Sequence, residues 1–450
     1  MLFRSIDIYF IAYAVANWVA FSLATSIESV AVIHLVRARE SAGEAAVLGG
    51  ASLRMSACVG VIAAPALVAA TYLLAPVVAT GFSPAERAEL VRLTPWFAPW
   101  ICLLLPYYIM AARYKSEWRF HRVFVAEILV GITSIVWLAV NHGSIRQIPL
   151  AYAAGYAAAL LWLLPGSRIA MASGRTSLRP LLRDTGALYL TNQVGNIPGI
   201  VDRHFQSFVA PGGIAAIGYA SQLLMGVSSL IGMRDIFIVP LSEAKDRDRR
   251  LERLVIGMLL LSAPAAGVIA SFAPEIVRIL FERGRFNAEA ADITASVLRI
   301  LALSLVVSAV TTPLARVLQI VRRIHLIHIY YLAMTVFLIP AGFVLVEHFH
   351  LGAEGIAWMS LAGSVPACAV LAYLVARSGV VLRWRYIGRF VALATAVTAA
   401  AAVPSLAAAA AFVGPLPRLL IGGGCYTSIV AACYGVAWIR LPRGAPTGSA

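Results

Sequence analysis

The chain has 450 residues, of which 61% are apolar and 13% charged, with a mean hydropathy of +0.85. Those values exclude an ordinary soluble domain. A net charge of +15 and a pI near 10.0 do not point to nucleic acid, because the bases are spread over many short gaps and not gathered in one arm or patch.

A membrane-crossing helix needs about 20 apolar residues, and the apolar runs predict thirteen of them. In chain order they cover 6–36, 46–79, 88–112, 121–141, 147–171, 185–209, 213–243, 254–274, 287–315, 324–347, 351–376, 386–412 and 416–439. The longest runs predict tilted helices, or helices that extend beyond the bilayer. The first run is too long for the apolar part of a signal peptide and has no basic segment before it, so no cleaved leader is expected.

Bases fill every second gap. The gaps after spans one, three, five, seven, nine and eleven, with the C-terminal tail, hold twenty-four Lys and Arg; the alternate gaps and the N-terminus hold seven. Cytoplasmic loops carry the excess of Lys and Arg. The C-terminus is therefore expected inside a bacterial inner membrane and the N-terminus outside. An outside start with no helix before it suggests that a first helix is missing.

No extramembrane stretch exceeds roughly twenty residues, which leaves no room for a soluble catalytic domain. Phosphate-binding loops, HExxH and nucleophile elbows are all lacking. The chain is expected not to be an enzyme, to need no cofactor, and to draw on a gradient or potential instead of ATP. Cys58, Cys102, Cys368, Cys425 and Cys433 lie singly in apolar runs, with neither a disulfide nor a metal-site pattern. His325 and His328 have ligand spacing but follow Arg322-Arg323, which suits a lipid headgroup better than a metal.

Residues 9–40 align without gaps to 215–246, with six identities including Tyr13/Tyr219, Ser22/Ser228 and Leu35/Leu241. Ala75-Pro76 then matches Ala273-Pro274, and Ala85-Glu86 matches Ala288-Glu289. Two such parallel copies around a cavity form a transporter architecture. The expected fold is an all-α polytopic protein with two pseudo-symmetric lobes, 1–172 and 173–380, and two extra helices with a short tail in 381–450.

Three stretches carry a family resemblance. They are VDRHFQSFVAPGGIAAIGYA from Val201, PEIVRILFERGRFNAEA from Pro274, and DIYFIAYAVANWVAFSLATSIESVAV from Asp7. Together they resemble the MurJ/MviN family of lipid II flippases, in the multidrug/oligosaccharidyl-lipid/polysaccharide exporter superfamily. The resemblance implies fourteen helices, two six-helix lobes and two further helices lining a groove for a lipid tail. It also implies arginines that hold a pyrophosphate, a task suited to the planar guanidinium fork. At the positions that match those arginines, this chain has Ala20 and Phe21 in its first run and Gln222 in its seventh.

Charged and polar groups inside spans are costly and so are candidates for function. In span six, Asn192, Asn196, Gly199, Arg203 and Gln206 recur at helical spacing and share one face. They form either a cavity lining or an interhelical hydrogen-bond seam. Arg203 follows Asp202 and either adds anion affinity or pairs with it. The cavity candidates are thus Asn192, Asn196, Asp202, Arg203, Gln206, Gln222, Arg54, Asn17 and Asp7. Glu28 and Arg234 occupy the same position in the two copies of the repeat, with Asp235 next to the base. They are candidates for an inner gate; the plainer alternative is that Arg234 pairs with Asp235 or snorkels.

The resemblance implies a flippase that moves a polyprenyl-pyrophosphate saccharide such as lipid II by alternating access. Its expected partners are that substrate, membrane lipids and cell-wall synthesis enzymes. The alternatives are a flippase for another polysaccharide precursor, a cation-coupled drug or metabolite antiporter of the superfamily, and a non-transporting scaffold.

Overall fold

The computed structural model describes residues 2–38, 42–141, 143–165, 176–232, 247–282, 286–321, 323 and 325–440. Among them the regular elements are all helical. Helices are what apolar runs in lipid must form, since the bilayer core offers no water to an unpaired backbone group.

The chain divides into two compact units, residues 1–211 and 212–450. The first begins with α1 (Leu2–Ala16), which continues through a π-helical turn (Asn17–Phe21) into α2 (Ser22–Ala38). It goes on through α3 (Ala42–Val78), α4 (Pro84–Leu93), α5 (Ala98–Ser116), α6 (Phe120–Val140), α7 (Gln147–Leu163) and α8 (Arg179–Gln206). Helix α5 packs against α2, α3 and α7, and α8 lies on α2. Ile27, Val30, Leu35, Ile109, Ala112 and Leu181 join α2, α5 and α8 in one buried cluster.

The second unit holds α9 (Gly213–Gly232), α10 (Arg247–Ser271), α11 (Ala273–Phe281), α12 (Ala288–Leu301), α13 (Ser304–Ile320), α14 (His325–Gly342), α15 (Gly352–Arg377), α16 (Trp384–Ala410) and α17 (Pro415–Arg440). The α16–α17 hairpin packs on α10 and α11 through Phe272, Val397, Ala401, Tyr426 and Val430. Its entry is tied down as well: Asp248 Oδ2 accepts from the Val381 amide at 3.0 Å, and Arg383 Nε donates to Glu252 Oε2 at 3.0 Å.

Nine helices among the described residues are long and apolar enough to cross a bilayer, or ten if α12 and α13, bent by 43° at their junction, count as one. This is fewer than the thirteen expected. Two of the expected spans are the shorter apolar helices Gln147–Leu163 and Gly213–Ser228. Another, α8, is 28 residues long but carries Arg179, Arg183, Asp184, Asp202 and Arg203. It also runs unbroken through Pro198.

Each unit contains a helix followed closely by a break. In the first unit, α4 starts at a capping box, with Ser83 and Glu86 each satisfying the other's backbone, and a 3-10 turn at Thr94–Phe97 separates it from α5. In the second, Asn287 caps α12 by accepting from the Ala290 amide at 3.0 Å, and α12 breaks before α13.

Candidate functional site

The polar residues of the first unit gather along α1–α2 and α8. The π turn at Asn17–Phe21 sits midway along the α1–α2 rod, where the Ser22 amide donates to the Asn17 carbonyl. Such a single wider turn inside an α-helix is frequent at functional sites. It turns Ala20 inward, to complete burial, and leaves Phe21 exposed, with its ring edge-on to Tyr108 at 5.9 Å. Half-buried Asn17 opens the turn.

Opposite this turn, α8 presents the polar face read from its spacing. Asn192 Nδ2 donates to Ser26 Oγ at 2.9 Å, and Gln193 Nε2 donates to both the Trp18 carbonyl and Ser22 Oγ at 3.2 Å. Asn196 Nδ2 donates to Gln193 Oε1 at 3.2 Å. Asn192 and Gln193 therefore make an interhelical seam with α2 and the π turn, while the Asn196 bond stays within α8. Gly199 lies against Trp18, where a Cβ would stand 3.4 Å from the indole Nε1, an ordinary contact. Towards the C-terminus of α8, Gln206 Nε2 donates to Asp202 Oδ2 at 2.6 Å, while Arg203 Nη1 donates to Gln206 Oε1. Gln206 thus links the acid to the base. The other Asp202 oxygen, Oδ1, is buried without a partner among the described residues.

At the same end, Arg4 gathers the start of α1. Its Nε donates to Glu86 Oε1 at 2.7 Å, its Nη1 lies 3.9 Å from Asp7 Oδ2, and its guanidinium covers the Phe82 ring at 4.4 Å. Asp7 itself is fully buried. The loop after α3 grips the end of α8, with the Gly81 amide on Ser207 Oγ at 2.9 Å and the Val77 carbonyl 2.8 Å from His204 Nδ1.

The opposite end has its own polar contacts between helices. Lys115 Nζ on α5 lies 2.7 Å from Glu28 Oε1 on α2, and His34 Nε2 on α2 lies 3.0 Å from Asp184 Oδ2 on α8. Glu28 is therefore held within the first unit. Arg234 and Asp235, the other residues of the expected gate, lie outside the described residues. Arg54 is exposed on α3 and does not join the seam, and Gln222 is exposed on α9.

The family model described as "Lipid II flippase MurJ" matches residues 4–416. The chain belongs to the MurJ family. Probable lipid II flippase MurJ of Thermotoga maritima is 25% identical to it over 321 residues, 68% of this chain. The chain spans 64% of the length of that curated relative. Among solved structures, "Lipid II flippase MurJ, inward closed conformation" superposes with a TM-score of 0.76 at 17% identity, covering 97% of this chain and 94% of the other. An inward-facing multidrug-resistance MATE family transporter gives 0.68 at 16%, covering 84% and 91%. Both share its fold. The MurJ membership agrees with the fold class expected from the sequence, an all-helical membrane protein crossing the bilayer many times.

Sequence reasoning missed the polar role of Lys115, which reads as one more cytoplasmic loop base. It also missed a cluster of tyrosines on α1, α5 and α7. Their signal was available: Tyr9/Tyr13 and Tyr152/Tyr156 are both spaced by four, which sets each pair on one helix face.

Proposed function

We propose that this MurJ-family protein moves a lipid-linked cell-wall precursor, in the first instance lipid II, across the bacterial inner membrane by alternating access. The observation that supports the reading most directly is the match of the lipid II flippase family model to residues 4–416. The lobes follow the repeat, 1–172 and 173–380, with 381–450 added. The C-terminus and the Lys115 end are cytoplasmic, as the distribution of bases supports. Surrounding lipids and cell-wall synthesis enzymes complete the set of partners.

A second reading is favoured by particular residues. Where the family's phosphate-holding arginines are expected, this chain has Ala20, Phe21 and Gln222, and that supports a different polyprenyl-pyrophosphate glycan as cargo. The test is rescue of a bacterial strain depleted of its own lipid II flippase. Arginine should be restored at exposed Phe21 and Gln222, since Ala20 is fully buried and a charge there would be stranded. Rescue by the unaltered chain supports lipid II. Rescue only by the Phe21→Arg/Gln222→Arg form supports a diverged cargo. If neither form rescues, and neither moves lipid II in liposomes, the lipid II reading is wrong. Reporter fusions at residue 450 check the topology: an active periplasmic reporter there would refute a cytoplasmic C-terminus.

A further inference from the structure

The α16–α17 hairpin is joined to the second unit by a short link and rests on it by one side. Among the described helices, α16 packs on α10, and α17 on α11 and α10. Residues 380–383, which lead from α15 into α16, form no regular structure. A link of that kind would by itself let the hairpin pivot against α10. Its surroundings remove that freedom.

The side chains of the link alternate. Val380 (5% exposed) and Leu382 (7%) enter the apolar cluster of Leu251, Val255 and Ile387, which joins α10 to α16. Val381 and Arg383 face outward, and their amides turn to α10. The Val381 amide donates to Asp248 Oδ2 at 3.0 Å, and the Arg383 amide donates to Glu252 Oε2 at 3.4 Å. Asp248 and Glu252 are four positions apart on one face of α10, so two carboxylates serve alternate amides of the link. Arg383 closes the arrangement. Its Nε donates to Glu252 Oε1 at 3.2 Å and to Oε2 at 3.0 Å, its Nη2 donates to Oε1, and its guanidinium covers the Tyr386 ring at 4.7 Å. Acids in the first turns of a helix commonly serve its dipole. Glu252, however, is 5% exposed and turns both oxygens on Arg383, so it is built for that contact.

The hairpin is held again at its other end. Phe272, Ala401, Ala409 and Tyr426 are buried together. Gly422 and Gly267 admit the two rings: a Cβ at Gly422 would stand 2.5 Å from the Phe272 ring, and one at Gly267 would stand 1.9 Å from the Tyr426 hydroxyl. Arg383 and Ala401 are 18 positions apart along α16, about 27 Å at 1.5 Å per residue. Two anchors so far apart leave the hairpin no axis on which to swing away from α10. We propose that Asp248 and Glu252 are positioning residues that fix the hairpin at the link, and that α16 and α17 travel with α10 as one body throughout the transport cycle. The inference rests on the reading of the chain as a transporter, and not on its cargo.

The test uses the full chain with its five cysteines changed to alanine. Spin labels replace exposed Arg253 on α10 and exposed Arg389 on α16, beside the link. Electron paramagnetic resonance in liposomes should give one narrow distance that added lipid II leaves unchanged. In Asp248→Ala/Glu252→Ala that distance should broaden by about 5 Å, one helical pitch. Labels at exposed Leu261 and Val403, nearer the apolar anchor, should stay narrow in the same double variant. A distance at the link that shifts with lipid II, or that stays narrow in the double variant, overturns the proposal; broadening at both pairs of labels denies the second anchor and overturns it too. In the same liposomes, Asp248→Cys and Val381→Cys are joined by a thiol cross-linker. Lipid II movement should keep more than about half its rate, and a larger fall shows that the hairpin must leave α10, which overturns the proposal. If the chain moves no lipid II before cross-linking, the cargo reading fails, while the double variant still decides the inference.

Discussion

Gly155 on α7 is the position where a single methyl group should do most damage to the first unit. Its missing Cβ would stand 2.6 Å from the Val130 carbonyl oxygen, 2.8 Å from Ser134 Oγ and 3.1 Å from Val130 Cα. Two of those atoms are backbone of α6, so no side chain can swing away to make room. Reaching an ordinary contact of 3.4 Å requires the two helices to separate. Buried Ala151 and Ala159 continue the same small-residue stripe one turn to either side, the arrangement by which membrane helices approach closely. Separation would also stretch the 3.0 Å bond from Ser134 Oγ to the Ala151 carbonyl. Overpacking of this kind costs about 1–3 kcal/mol, and an interhelical hydrogen bond in a membrane adds roughly 0.6–1.7 kcal/mol. Gly155→Ala should therefore destabilise the protein by about 2–4 kcal/mol, a fall in melting temperature of roughly 5–15 °C for a unit of this size. The assay is thermal unfolding in detergent, read by size-exclusion chromatography. Gly131→Ala on α6 is the matched comparison, since its Cβ would meet nothing within 4 Å. It should be neutral, or stabilising by up to about 1 kcal/mol through helix propensity. If the two variants melt alike, the close approach of α6 and α7 is not what holds this part of the unit together.

The seam and the caps give two further stability predictions. Asn192→Ala and Ser26→Ala should each weaken the first unit, and a double-mutant cycle should return a coupling of about 0.6 kcal/mol and no more than roughly 1.7; additive losses would show that the 2.9 Å bond contributes nothing. Ser83→Ala removes half of the capping box at α4 and should cost about 1 kcal/mol. Because Glu86 also holds Arg4 at 2.7 Å, hydrogen exchange should rise at the start of α1 as well as at α4; protection lost at α4 alone would deny that link.

Most of the helical layout was legible because each span is a local matter of apolar length, and the gaps are marked by charge. Of the expected spans, α7 and the described part of α9 are apolar but short of a full crossing, and α8 is long enough but carries charges along its length. The α8 stripe was legible as a face, but its period could not say which neighbour it faced. The contact of Asn192 with Ser26 joins residues 166 positions apart. Lys115 was hidden for a related reason: a base near a helix end looks the same whether it meets water or Glu28. The π turn left no mark, since an inserted residue in an apolar run keeps the run apolar. The tyrosine cluster was only half visible, as two pairs spaced by four, because what makes it a cluster is the meeting of α1, α5 and α7.

The π turn also acts as an index between the two halves of one rod. Each residue added to a helix rotates the remainder of the rod by about 100°. The wider π turn at Asn17–Phe21 takes up one extra residue within a single turn, so the half bearing Arg4, Asp7 and Tyr9 keeps its facing against the half bearing Ser26 and Glu28. A second residue inserted there has no such slack and would turn one half by that angle, although no contacting side chain had been changed. The alignment of the two ends of the first unit therefore depends on a count of residues, and a single-codon insertion in this stretch should be more damaging than a single-codon deletion, which returns the turn to a plain α-helix.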